Sequence, residues 1–216
     1  MERTSGRKLV FPCQPASYER FRHSELPHSD SIRLLQKHPR EEDAGVFDCS
    51  LHTFRAKEAP PYVALSYTWG SPWSEQEMHD DTDFYTICDG RVIPISENLF
   101  FALRRFGMGN ADYMWIDQIC INQDSPTEKA IQVARMGTIY ARASLVLVWL
   151  GEQDETAEIA FGLIRKFIPA LNEALLNGLI ETGHTSLSDE NFWRNLKLTP
   201  WTDKEAHSII HLFNRA

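Results

Sequence analysis

Apolar and polar residues alternate along several short segments in the first half of the chain, a pattern typical of β-strands that bury one face. Three of these segments predict single strands: residues 31–36, 46–54 and 62–70. Residues 84–95 alternate in the same way around Asp89-Gly90, a dipeptide typical of the two-residue turn of a β-hairpin. Ser96 then caps a predicted helix that ends near Gly107. The first half is therefore predicted to be mainly β-structure with one helix.

The second half changes to longer apolar periods, which indicate helices between strands. Residues 113–117 predict a strand, and the following helix begins with Ser125 at the cap, Pro126 at the first helical position and Glu128 as the capping-box glutamate. This helix is predicted to run to about Arg142. Four of its residues are predicted to share one apolar face: Val133, Met136, Tyr140 and Ala143.

Residues 145–151 read LVLVWLG, and such a continuous apolar run predicts a strand that is covered on both faces. A further amphipathic helix is predicted to end at Pro169, and residues 202–205 form a second capping box. Because strands and helices alternate here, right-handed crossovers and a parallel sheet are expected. The predicted fold class is α/β, with a parallel central sheet flanked by helices, the antiparallel hairpin at an edge, and a helical C-terminal part.

Composition and charge narrow the class of protein. The 216 residues are 43% hydrophobic, which suffices for a sizeable core, and residues 1–30 are predicted to be a loosely ordered lead-in to one domain over residues 31–216. The net charge of −8, without a cluster of Lys and Arg, argues against nucleic acid and anionic membranes as partners. No apolar run approaches the roughly 20 residues of a membrane span, and the first residues lack the apolar core of a secretory signal.

The spacing of cysteines and histidines predicts no metal site. The four cysteines share no CxxC spacing, which favours reduced thiols in an intracellular protein. His207 and His211 share one predicted helix face, but no cysteine lies near them, and no glutamate follows His207 as an HExxH motif requires.

The stretch from residue 113 to residue 123, YMWIDQICINQ, passes from a buried strand directly into a row of polar side chains. Asp117 stands at the carboxyl end of that strand, where open α/β sheets bind ligands, so it could contact a ribose hydroxyl or order a loop over a pocket. The alternative is a carboxylate that caps the backbone of its own turn. For Gln118, Asn122 and Gln123, the pattern favours the internal hydrogen-bond network of a loop at this edge of the sheet.

Five other residues are candidates for the same edge. Ser66, Tyr67 and Trp69 end the predicted strand 62–70, where Ser66 could present its hydroxyl to a ligand or Trp69 could simply pack. Glu128 is explained by the capping box without any chemistry. Glu152 follows the strand 145–151 at its carboxyl end and is a candidate pocket residue.

Three stretches together resemble the heterokaryon incompatibility (HET) domain of filamentous fungi: residues 62–70, 91–106 and 113–151. The resemblance implies a fungal, cytoplasmic protein that acts in programmed cell death after fusion of genetically different cells. It also implies homotypic self-association or binding to other death-signalling proteins. The HET domain is similar in outline to the TIR domain, a signalling domain with a flavodoxin-like fold that works by self-association.

The resemblance leaves enzyme activity open. Some TIR domains cleave NAD between nicotinamide and ribose, so the resemblance implies NAD as a candidate substrate and no bound cofactor. The family pattern continues with a Trp-rich stretch that ends in a carboxylate, expected just beyond residue 216. No catalytic glutamate is therefore assigned, and the domain is predicted to be truncated at its C-terminal end.

Overall fold

The computed structural model describes residues 19–38, 47–70, 84–106, 111–180 and 186–214. The first 18 residues of the predicted lead-in and the predicted helix end at Gly107 lie outside these ranges. The chain divides into two compact units, residues 1–151 and 152–216.

The described part of the first unit contains one mixed sheet. Its strands are β1 (Ser31–Lys37), β2 (Asp48–Arg55), β3 (Val63–Tyr67), β4 (Tyr85–Cys88), β5 (Arg91–Pro94), β6 (Tyr113–Trp115) and β7 (Leu145–Trp149). Their order across the sheet is β5-β4-β2-β1-β6-β3-β7. The pairs β2–β4, β3–β6 and β3–β7 are parallel, whereas β1–β2, β1–β6 and β4–β5 are antiparallel. The α/β prediction and the hairpin at an edge are confirmed.

Helices cover both faces of this sheet. They are α1 (Glu97–Phe106), the one-turn α2 (Asp117–Cys120) and α3 (Pro126–Arg142). On one face, α1 packs with Leu99 against Leu35 and Leu65. On the other face, α3 packs with Ile139 against Trp115 and other buried side chains. Burial of these two apolar layers is the main term that stabilises the unit.

The buried face of α3 differs in part from the prediction. Met136, Tyr140 and Ala143 pack against the core, but Val133 is 50% exposed. The side chain of Gln132 is buried instead, and its Nε2 donates to the carbonyl oxygen of Ser31 at 3.0 Å. Because neighbouring helix positions differ by about 100°, the orientation that buries Gln132 turns Val133 outward.

Strand β7 is not covered on both faces, so this prediction is wrong. It is an edge strand that pairs with β3, and Leu145 and Val148 are 53% and 57% exposed. An apolar run reports the character of the side chains but not the position of the strand in the sheet. The prediction failed because α1 and α3 lie over the middle strands and leave much of this edge uncovered.

The opposite edge of the sheet is covered. The amide of Phe21 donates to the carbonyl of Val92 at 2.8 Å, and the amide of Val92 donates to the carbonyl of Glu19 at 2.9 Å. Residues 19–21 of the lead-in thus run beside β5, which also carries Pro94, a residue without a backbone donor. This arrangement satisfies backbone groups that an edge strand otherwise exposes.

The second unit is helical in its described part. It contains α4 (Glu155–Leu176), α5 (Glu190–Leu196) and α6 (Asp203–Phe213), and α6 begins with the predicted capping box of Thr202 and Glu205. The predicted helix end at Pro169 is wrong, because α4 continues to Leu176. Packing of α4 residues around Phe167 against Phe192 and Trp193 of α5 offsets the backbone hydrogen bond that the proline lacks.

Candidate functional site

The candidate site lies where two parallel neighbours, β3 and β6, end. Val63 aligns with Met114 and Ala64 with Trp115, so the residues that follow both strands emerge at the same edge. Open α/β sheets bind ligands outside the carboxyl ends of their strands. We call the cluster of Tyr67, Trp69, Asp117, Gln118, Ser96 and Asn98 the strand-end cluster.

Asp117 is the carboxylate of the strand-end cluster. Its Oδ2 accepts a hydrogen bond from the indole Nε1 of Trp69 at 2.8 Å, and its Oδ1 accepts from the amide of Gln118 at 2.7 Å. Burial raises the pKa of the Asp117 carboxyl above its usual range, and the two hydrogen bonds oppose this rise. Among the described residues, Asp117 has no ion pair, so only neutral donors stabilise its charge.

Gln118 links the ends of three elements. Its Oε1 accepts from the hydroxyl of Tyr67 at 3.2 Å, and from the amide and the hydroxyl of Ser96 at 3.1 and 3.3 Å. Ser96 in turn accepts from the amide of Leu99 at the start of α1. Burial, and then the charge of Asp117, raise the pKa of Tyr67 well above its usual range, so its hydroxyl remains a donor.

Asn98 also belongs to the cluster, although it is not among the candidates predicted from the sequence. Its Nδ2 donates to the carbonyl of Thr68 at 2.8 Å, and its Oδ1 accepts from the indole of Trp149 at 2.7 Å. Asn98 is buried, and a buried amide in the first turn of an amphipathic helix is the signal that could have identified it. It ties the segment after β3 to the end of β7.

Ser66 is not part of the strand-end cluster. It aligns with Val148 across β3 and β7, and it contacts the hydroxyl of Tyr140 from α3. Tyr140 also donates to the carbonyl of Leu65 at 3.1 Å. Successive strand residues point to opposite faces of a sheet, so Ser66 and Tyr67 serve different layers.

The amides of residues 122 and 123 bond within their own turn. Nε2 of Gln123 donates to the carbonyl of Asp117 at 3.0 Å, and Oδ1 of Asn122 accepts from the amide of Asp124 at 3.2 Å. The second bond is an Asx-turn. Oε1 of Gln123 is buried and has no partner among the described residues.

Glu128 belongs to a second, separate network. Both of its oxygens contact the guanidinium of Arg33 from β1, and Oε1 also accepts from the amide of Asn122 at 2.8 Å. The side chains of Arg33 and Glu128 are 2% and 11% exposed. Burial alone raises the pKa of Glu128, but Arg33 and the Asn122 amide hold it below its usual range. We call Arg33 and Glu128 the buried ion pair.

The capping-box prediction at Glu128 is half correct. The amide of Glu128 donates to the hydroxyl of Ser125 at 3.3 Å, as a cap requires. The carboxylate, however, bonds Arg33 and the amide of Asn122. A charged residue within the apolar strand SIRLLQ was the available signal, because a buried arginine requires an anionic partner.

The buried ion pair also holds the lead-in against the turn after β6. Arg33 donates to the carbonyls of Cys120 and Ser24, and the ring of His23 contacts the carbonyl of Ile119 at 2.8 Å. Burial lowers the pKa of His23 and raises that of the Cys120 thiol to about 12. Cys120 is thus a buried thiol, unsuited to nucleophilic attack.

Glu152 is exposed and is the first residue of the second unit. Among the described residues, no group of three or more His, Cys, Asp or Glu side chains could hold a metal ion. No described helix has the length and apolar character needed to cross a membrane.

Comparisons with known proteins identify the family. The family model described as heterokaryon incompatibility protein (HET) matches residues 62–204. Heterokaryon incompatibility protein 6, OR allele, of Neurospora crassa is 37% identical over 134 residues, which are 57% of this chain and 19% of that protein. No solved structure matches the chain. Because the family match covers more than half of its residues, the chain belongs to the heterokaryon incompatibility (HET) family.

Proposed function

We propose that this chain is a cell-death signalling module in fungal recognition of self and non-self, and that it acts through self-association. The observation that carries the proposal is the HET family match over residues 62–204. The Neurospora crassa relative is named as an incompatibility protein, but the chain spans only 19% of its length. The activity of such a whole protein is therefore part of the proposal, as are a cytoplasmic location and a TIR-like outline.

The contacts of the described residues support a signalling role. The polar groups of the strand-end cluster bond mainly one another, as in Trp69 to Asp117 and Tyr67 to Gln118. A satisfied network of this kind fixes a loop, whereas an activated nucleophile needs a neighbouring base. The apolar edge at β7 supplies a surface on which association can occur.

Inducible expression of the chain in Neurospora crassa tests the proposal. We expect loss of viability, measured with a vital dye, in proportion to the amount of chain. The control is an equal amount of the Arg33→Met variant, which loses the partner of Glu128 and is expected to be unfolded or weakened. Healthy cells at high levels of folded chain, together with a monomeric purified protein, would contradict the proposal.

A second candidate function is cleavage of NAD, and the state of Asp117 favours it. This carboxylate has a raised pKa and lies beside Trp69 and Tyr67 at the ends of parallel strands, where an acid or base for chemistry on a nucleotide is expected. Release of nicotinamide from NAD by the purified chain measures the activity. We expect Asp117→Asn to abolish release and Glu152→Gln, a change at an exposed carboxylate, to preserve it. Cell death without nicotinamide release would reject this second function and leave the first.

A further inference from the structure

Strand β7 differs from a protected edge strand in both its side chains and its position. It carries five uncharged residues, LVLVW, and it ends the sheet order on the side of β3. Leu145, Val146 and Val148 are 53%, 39% and 57% exposed. Soluble proteins usually place charges, prolines or a covering segment at such an edge, because its backbone groups can pair with another strand.

Two of the exposed side chains of β7 lie on the face of the sheet against which α3 packs. Side chains alternate along a strand, so Val146 and Val148 point to the face that α3 covers. On α3, the amine of Lys129 lies 5.6 Å from the centre of the Trp69 ring, and Tyr140 bonds the carbonyl of Leu65. That flank of the helix therefore lies above β3. Val133 follows Lys129 by one turn and is 50% exposed.

Charges along the sequence give this edge a polarity. Arg142 is the third residue before β7, and Glu152 is the third residue after it. In a parallel pairing of two copies, like charges would meet at each end. In an antiparallel pairing centred on Leu147, Arg142 at the end of α3 lies toward Glu152 of the second copy, and Val146 aligns with Val148 of the second copy.

We propose that the occupant of the β7 edge is a second copy of this chain, which pairs antiparallel to β7 across a two-fold axis. The inference rests on the proposed function, because it names the surface of the proposed self-association. Backbone hydrogen bonds between the two strands supply the attraction, and contact between the valines and leucines removes their exposed surface from water. The surface is small, so the dimer is weak and its population depends on concentration.

Sedimentation equilibrium of the full chain, up to about 1 mM, tests the pairing at the weak end of specific association. We expect a monomer–dimer equilibrium for the natural chain. Val148→Lys, at an exposed position, should weaken it by about tenfold or more, because the two-fold axis introduces two lysines into one apolar contact. The matched control is Leu176→Lys, which changes an 88% exposed leucine at the end of α4 and should leave the equilibrium unchanged.

Exchange of the flanking charges tests the direction of pairing. Arg142→Glu alone should weaken the dimer, and the double variant Arg142→Glu with Glu152→Arg should restore it, because each opposite pair is rebuilt in reverse. Failure of the double variant to recover would overturn the antiparallel arrangement.

The outcomes separate this inference from the proposed function. A dimer that Val148→Lys leaves intact would overturn the β7 interface, while self-association through another surface would stand. A natural chain that remains monomeric at all concentrations would overturn both the β7 interface and self-association of the chain. The β7 edge would then be expected to pair with an extended segment of another protein. Cell killing by a monomeric chain would retain the death role alone.

Discussion

Asp117 and Glu128 are carboxylates of the same stretch of chain, yet their surroundings give them opposite properties. Glu128 is buried together with the guanidinium of Arg33, and its pKa lies below the usual range. Asp117 is half-buried with an indole and an amide as donors, and its pKa lies above that range. Neutral donors lower the cost of a buried charge without cancelling it. Glu128 therefore keeps its charge to a lower pH than an ordinary glutamate, whereas Asp117 keeps its proton to a higher pH than an ordinary aspartate.

The largest expected loss of stability comes from breaking the buried ion pair. Arg33→Met removes the partner of Glu128 and the bonds to the carbonyls of Cys120 and Ser24. We expect the free energy of unfolding, measured in urea, to fall by about 3–5 kcal/mol, because a buried carboxylate is left without a cation. The double variant with Glu128→Gln should recover part of this loss. If Arg33→Met matched the natural chain within about 0.5 kcal/mol, the ion pair would have no structural role.

Removing a neutral donor should cost less. Trp69→Phe preserves an aromatic ring but deletes the Nε1–H that Asp117 accepts at 2.8 Å. We expect the free energy of unfolding to fall by about 1.5–3 kcal/mol, the usual contribution of a hydrogen bond to a charged group. The cost should shrink when Asp117→Asn is already present, because no charge then needs the donor. The test is a double-mutant cycle. If Trp69→Phe lowered the free energy of unfolding equally with and without Asp117→Asn, Trp69 and Asp117 would not be energetically coupled.

The pH dependence of stability should have opposite signs for the two carboxylates. The raised pKa of Asp117 means that the folded chain binds more protons, so stability falls as pH rises from the ordinary carboxyl range through the raised pKa. The lowered pKa of Glu128 contributes stability above its ordinary value, and this is lost as pH falls through the lowered pKa. Urea unfolding across this range should show Asp117→Asn flattening the first slope and Glu128→Gln the second. Identical slopes in both variants would refute the contrast.

The smallest expected effect is at Asn122. Its side chain accepts one bond from the amide of Asp124, whereas its backbone amide supports Glu128. Asn122→Ala deletes the first contact and retains the second, so we expect a fall of about 0.5–1 kcal/mol in the free energy of unfolding. A fall as large as that of Arg33→Met would show that the side chain itself organises the buried ion pair.

Parts of the fold and site that depend on local pattern could be predicted from the sequence. Alternation identified the strands, and the succession of strands and helices implied parallel neighbours, which place Trp69 beside Asp117. The arginine in SIRLLQ indicates an anionic partner, but the identity of that partner could not be predicted, because 95 residues separate Arg33 from Glu128 in sequence. The exposure of Val148 also depends on the order of strands, and a run of apolar letters carries no information about that order.

The covering of β5 by residues 19–21 sets a limit on stoichiometry. A sheet with two unpaired edge strands could add further copies at both edges, and open-ended fibres would result. Here the β5 edge is already paired with residues 19–21 of the same chain. Association through β7 therefore stops at a dimer. Any larger assembly in a fungal cell would require a different surface of the chain or another molecule.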